Sequence, residues 1–116
     1  RGYNGYVLSR EGRSIIFGGD TAYTPSFGAL RSRGPFALAI MPIAAYNPWI
    51  RNHCTPEQAV KMADMAGADL LVPVHHQTFR LSDEPMEEPL ARLERALAQE
   101  SGRLAVRSVG DACSEA

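Results

Sequence analysis

Residues 36–76 read FALAIMPIAAYNPWIRNHCTPEQAVKMADMAGADLLVPVHH. Two short apolar runs, Phe36 to Ile43 and Leu70 to Val74, enclose a segment rich in helix signals. Near-continuous apolar runs of this length, flanked by proline, predict buried strands rather than helices. Between them, Thr55 is placed to cap a helix, Pro56 suits the first helical position, and Gln58 completes a capping box. Ala59, Met62, Ala63 and Ala66 recur at helical spacing, and Gly67 fits the position just past the helix end. Strand, helix and strand in succession predict an α/β layered architecture.

Upstream, Gly5–Ser9 and Ser14–Phe17 are short β-rich runs with Arg10-Glu11-Gly12-Arg13 between them, which predicts a β-hairpin. Gly18-Gly19-Asp20-Thr21 ends the second run in a tight loop. Phe27–Arg33 reads as a short helix stopped by Gly34-Pro35, and residues 44–54 read as a loop. Downstream, Leu90, Leu93 and Leu97 form the stripe of a second helix that starts near Pro89 and ends at Gly102. Leu104 to Val109 reads as a last strand. The expected order is β-β-(α)-β-α-β-α-β, a single unit over residues 1–116.

The chain has 116 residues and is 45% hydrophobic, enough for one modest core. Its net charge of −1 carries no nucleic-acid or membrane-surface footprint. No apolar run reaches the roughly 18 residues that a spanning helix needs. The N-terminal residues lack the apolar region of a signal peptide, which places the expected location in the cytoplasm. The sequence begins without Met inside an apparent strand and reads as an excerpt of a longer protein. Cys54 and Cys113 are too few for a disulfide framework and read as free thiols.

Three features at strand ends could carry chemistry. Asp20 follows two glycines that let the backbone bend, so its carboxylate could bridge divalent ions; capping a turn is the alternative. His75-His76 follows a buried strand directly. Neighbours on an extended segment point to opposite sides, so one of the pair at most would face a given site. Imidazole is the commonest metal ligand among side chains, and a hydrogen-bonded strand-end histidine is the other reading. Tyr46-Asn47-Pro48-Trp49 with His53 could form a substrate-facing wall, or simply fill a surface groove. Asp20, His53 and His75 together supply one carboxylate and two imidazoles, suited to Zn, Fe or Mn but too few for a two-metal centre.

GGDTAY, FALAIMPIAAYNPW, HCTPEQAV, LLVPVHHQTF and EPMEEPLARLERAL follow one another along the chain. In this order they resemble the C-terminal half of hydrolases with the metallo-β-lactamase fold. Within that superfamily the resemblance is to the branch of ascorbate-6-phosphate lactonase-like proteins and the N-acyl-phosphatidylethanolamine-hydrolysing phospholipase D. It runs from about Gly5 to Val109. It implies half of an αββα sandwich, with one mixed sheet and helices on its outer face. It matches Asp20 to the carboxylate that bridges two metal ions and His75 to the last metal-binding histidine, with two zinc ions expected in a complete site. His53 resembles a histidine near the active-site mouth that orients or protonates substrate, and Tyr46 would line the same mouth. His76 falls where the phospholipase branch often has Trp, and no ligand role is carried onto it.

The family's His-x-His-x-Asp-His motif does not occur in this sequence. The resemblance therefore implies part of a metal-dependent hydrolase of phosphodiesters or lactones, completed by an N-terminal half or another chain. One rival is a non-catalytic piece that binds a partner, or a second copy of itself, through an open sheet face. Another is a nucleotide-binding domain using Gly18 to Thr21 as its phosphate loop, though no glycine-rich phosphate motif supports it.

Overall fold

The computed structural model describes residues 5–113; Arg1 to Asn4 and Ser114 to Ala116, the two ends of the expected 1–116 unit, lie outside the described residues. Strands β1 (Tyr6–Arg10) and β2 (Arg13–Phe17) form the expected hairpin. Glu11 and Gly12 both take positive φ at the turn, the conformation that suits a two-residue connection between twisted strands. A 3₁₀ segment (Pro25–Arg33) follows, its first turn capped by Thr24. Strand β3 (Phe36–Pro42), helix α1 (Pro56–Ala66), strand β4 (Ala68–Val74) and helix α2 (Glu88–Ala96) complete the order, with a further 3₁₀ segment at Ala98–Arg103.

The four strands make one mixed sheet in the order β1-β2-β3-β4. β1 and β2 are antiparallel, whereas β2, β3 and β4 run parallel to one another. The loops that leave β2, β3 and β4 therefore all emerge at one edge, the carboxyl end of the parallel strands.

Register explains which face is covered. Val7, Ile16, Ala39 and Leu71 lie side by side across the sheet, and this row belongs to the core. Against that core pack Ala59, Met62, Ala63 and Ala66 of α1, with Leu93 of α2 and Leu97 just beyond its end. Burying each of these larger side chains contributes about 2 kcal/mol. Helix α1 has every predicted signal. Thr55 Oγ1 accepts from Gln58 N at 3.2 Å, Gln58 Oε1 accepts from Thr55 N at 3.0 Å, and Gly67 closes the helix in the left-handed region. The helices lie on one side of the sheet, as the expected mixed sheet with outer helices requires.

The other face is apolar and bare. One row runs Leu8, Ile15, Leu38 and Leu70; the next runs Tyr6, Phe17, Ile40 and Val72. None of these eight side chains is fully buried.

The expected last strand is corrected. Leu104 makes only an isolated parallel bridge to Leu71, continued by Ala105 N donating to Leu71 O. Beyond it the backbone N–H groups of Arg107 and Ser108 donate to the Asp111 carboxylate instead of to a neighbouring strand. A local side-chain acceptor thus displaces the ladder, and Val109 is 89% exposed. The second helix is also shorter than its stripe suggests: it ends at Ala96, and 3₁₀ turns cover the stretch toward Gly102.

Candidate functional site

The edge where the parallel strands end brings three distant segments together. After β2, Gly18 N donates to Ile40 O at 2.9 Å, and a Cβ there would lie 2.8 Å from Met41 Sδ. Only glycine lets the chain pass so close to β3. Gly19, at φ 66°, then turns Asp20 outward. After β3, Ile43 N donates to Val74 O and the chain loops to His53. Cys54 N donates to Thr21 O at 2.9 Å, which fastens the His53–Cys54 segment beside Asp20–Thr21. After β4, His75 takes φ 65°, an uncommon conformation for a residue with a side chain, and Gln77 follows at φ 59°.

These connections set His75 Nε2 3.9 Å from Asp20 Oδ1. The His53 and His75 rings stack with centroids 5.0 Å apart and an interplanar angle of 17°. Asp20, His53 and His75, separated by 33 and 22 positions in sequence, thus form one group. The Nδ1 atoms of His53, His75 and His76 are buried without a hydrogen-bond partner among the described residues. A buried imidazole nitrogen left unpaired is uncommon and points to a group that binds there. Burial first, and then the neighbouring His75, lower the His53 pKa from its ordinary value, against the opposing pull of Asp20 and Glu84. His53 is therefore neutral at pH 7. Burial likewise lowers that of His76.

His75 and His76 both line a small recess with Ala45, Phe79, Leu81 and Glu84. The expected alternation of neighbouring side chains fails here because His75 is left-handed rather than extended.

Tyr46 is not brought into the group. It is buried, its hydroxyl donates to Glu88 Oε2 at 2.5 Å, and the Arg92 guanidinium lies 4.7 Å from its ring centre. Burial, then the bond to Glu88, raise the phenol pKa well above its usual value. Cys54 is buried, donates to Pro42 O, and has its thiol pKa pushed up to about 12 by burial, so it is no nucleophile at neutral pH. Both cysteines are free.

Glu84 is a residue the sequence reading passed over. It is 5% exposed and accepts from Ala45 N (2.6 Å), Asn47 N (3.0 Å) and the Ser82 hydroxyl (2.7 Å). Its carboxylate fastens the loop after β3 to the segment before α2. The only sequence signal was its place at the head of EPMEEPLARLERAL, where nothing distinguished it from its acidic neighbours.

Two carboxylate oxygens and a neighbouring imidazole are a donor set suited to a divalent ion. Among the described residues, however, no group of three or more His, Cys, Asp or Glu side chains forms a metal-holding set. Asp20 and His75 fit as part of such a centre rather than as the whole of one.

The chain is similar to other proteins over most of its described length. It is 45% identical over 95 residues to a protein of Mycobacterium tuberculosis described only as uncharacterized, covering 78% of this chain and 26% of the relative. It is 30% identical over 107 residues to a UPF0173 metal-dependent hydrolase of Methanoculleus marisnigri, covering 92% of this chain and 44% of the relative. The chain thus spans between about a quarter and a half of the length of these curated relatives. In fold it is similar to Igni18, a metallo hydrolase of Ignicoccus hospitalis. The TM-score is 0.59 at 20% identity, over 79% of this chain and 38% of that one. The model of the β-lactamase superfamily domain matches residues 3–76, the stretch that holds β1 to β4 and all three of Asp20, His53 and His75. With the whole four-stranded sheet, helix α1 and the grouped residues inside that match, the chain belongs to the β-lactamase superfamily.

Proposed function

We propose that this chain is part of a metal-dependent hydrolase that acts with a metal-activated water on a phosphodiester or lactone. The observation that supports this most is the Asp20–His75 pair at 3.9 Å, at the carboxyl edge of the parallel strands, with His75 Nδ1 buried and unpaired. In open α/β sheets that edge is where ligands sit. The similarity to a relative described as a metal-dependent hydrolase supports the same reading. Asp20 and His75 would hold metal, zinc first, with manganese or iron as the alternatives. A bound divalent ion supplies Lewis acidity and brings the pKa of a bound water toward neutrality. His53, neutral at pH 7 and stacked on His75, orients substrate and can exchange a proton with it through its imidazole. Tyr46 supports the mouth from behind by anchoring its loop on Glu88. The sheet and its helices would form one half of an αββα sandwich, and further ligands would come from the complementary half.

A second reading has its own observation. The two bare apolar rows, Leu8-Ile15-Leu38-Leu70 and Tyr6-Phe17-Ile40-Val72, make a contiguous uncharged face of the kind that associates with a partner. On that reading the chain is a non-catalytic binding piece.

The two are separated by metal content and zinc titration of the purified chain beside an Asp20→Ala, His75→Ala double variant, with imidazole NMR signals as a readout free of turnover. Zinc binding that shifts the His75 signals and is lost in the variant supports the metal reading. No metal above background in either protein means that this chain by itself is not a metalloprotein, and favours the binding piece.

A further inference from the structure

Folding leaves eight large hydrophobic side chains exposed among the described residues, and four of them sit on two loops beside the grouped histidines. Trp49 is 53% exposed and Ile50 45%; Phe79 is 73% exposed and Leu81 56%. Each loop interleaves an arginine with these side chains, as Trp49-Ile50-Arg51 and Phe79-Arg80-Leu81. Arg51 and Arg80 are exposed, and neither has an ion pair or hydrogen bond with a described residue.

The two loops form one rim. Asp83 N donates to Asn47 O at 2.8 Å, and Glu84 takes the N–H groups of Ala45 and Asn47. His53 N donates to Trp49 O, and the His53 ring stacks on His75. Phe79 and Leu81 line the recess that His75 and His76 share.

The chemistry of this rim differs from that of the bare sheet face. The sheet rows are contiguous and free of charge, which suits another protein layer. The rim mixes bulky apolar tips with unpaired guanidinium groups on short turns. Such a mixture suits a boundary between hydrocarbon and phosphate. Trp favours that depth, arginine stems reach past apolar neighbours toward the headgroups, and the guanidinium matches phosphate oxygens in pairs. The overall charge of −1 does not decide it, because surface attraction acts within about a Debye length and depends on the local groups, here Arg51 and Arg80 with the exposed Asp83 between the loops.

We propose that the rim formed by Trp49, Ile50, Phe79 and Leu81, with Arg51 and Arg80, seats this protein on the surface of a phospholipid bilayer. The apolar tips enter the acyl boundary, the arginines rest on lipid phosphates, and the His53–His75 group faces the membrane surface. The proposal does not depend on metal or turnover.

Trp49 is the only tryptophan in the chain, so its fluorescence reports insertion directly. The experiment is fluorescence and co-sedimentation with vesicles of phosphatidylcholine alone and of phosphatidylcholine and phosphatidylglycerol in equal parts. A blue shift of Trp49 and co-sedimentation, stronger with the anionic vesicles and weakened by salt, are expected. An Arg51→Glu, Arg80→Glu variant should lose affinity about tenfold or more, on the scale of lipid-surface charge contacts, and a Phe79→Ser, Leu81→Ser variant should lose it by a similar factor. All four positions are exposed, so circular dichroism should show both variants folded. A Leu8→Ser, Phe17→Ser variant of the sheet face should bind as the wild type does. No shift with either vesicle overturns the proposal. So does binding that survives both rim variants but vanishes in the sheet-face variant, which would assign the contact to the open sheet.

Discussion

Glu84 keeps an ionised carboxylate out of water because the chain itself surrounds it with donors. Removing it in Glu84→Ala strands the buried N–H of Ala45, which costs about 1–3 kcal/mol, and breaks the part-buried bond from Asn47 N as well. Urea unfolding should therefore show a loss of about 3 kcal/mol, with Glu84→Gln losing less because one acceptor oxygen remains. Burial pushes the Glu84 pKa up, but the hydrogen bonds from Ser82, Ala45 and Asn47 outweigh it and leave the pKa lowered. A carboxyl with a lowered folded pKa contributes stability above its unfolded pKa, about 4.3, and that contribution disappears as pH falls through the folded value. Stability measured from pH 7 down to pH 3 should fall more steeply in wild type than in Glu84→Gln. If the two curves run parallel, the donors do not hold the charge. Asp20, His53 and His75 were legible as candidates because their residue types carry chemistry and each ends or follows a strand. Glu84 was not, being one of 13 acidic residues whose role exists only once residues 82–84 return to the loop after β3.

Helix α1 is the element most fully written in local sequence. Its cap, first-turn proline, apolar spacing and terminal glycine are all present as read. Thr55→Ala removes the acceptor for Gln58 N and should cost about 1 kcal/mol, whereas Thr55→Ser should cost almost nothing. Thermal unfolding of the two variants checks this; equal melting temperatures would mean that tertiary packing alone holds the helix start. The stretch Leu104 to Val109 shows the opposite case. Its short apolar run reads as a strand, yet a strand also requires a partner with free N–H and C=O groups. Here Leu71 supplies one bridge, and Asp111 takes the next donors. A pattern of side chains cannot report which acceptor a backbone N–H will meet.

Across the whole molecule, Arg92 joins pieces that sequence keeps apart. Its guanidinium makes two bonds to Glu57 of α1, at 2.6 and 3.0 Å, reaches Glu88 on its own helix, and lies over the Tyr46 ring. The exposed ion pair contributes about 0.5–1 kcal/mol and the ring contact about as much again. Arg92→Ala should thus cost about 1–2 kcal/mol in denaturant unfolding, and high salt should shrink the difference from wild type. A difference unchanged by salt would assign the effect to packing of the side-chain stem. What could be read from residues alone was local or periodic: the hairpin, strands β3 and β4, helix α1 with its caps, and the α/β class. These depend on backbone preference and apolar spacing over a few neighbouring positions. The grouping of Asp20, His53 and His75, the turning of Tyr46 toward Glu88, the burial of Glu84 and the loss of the last strand depended on the folded chain. Each is a contact between segments far apart in sequence, and parallel pairing of β2, β3 and β4 is what carries their loops to one edge.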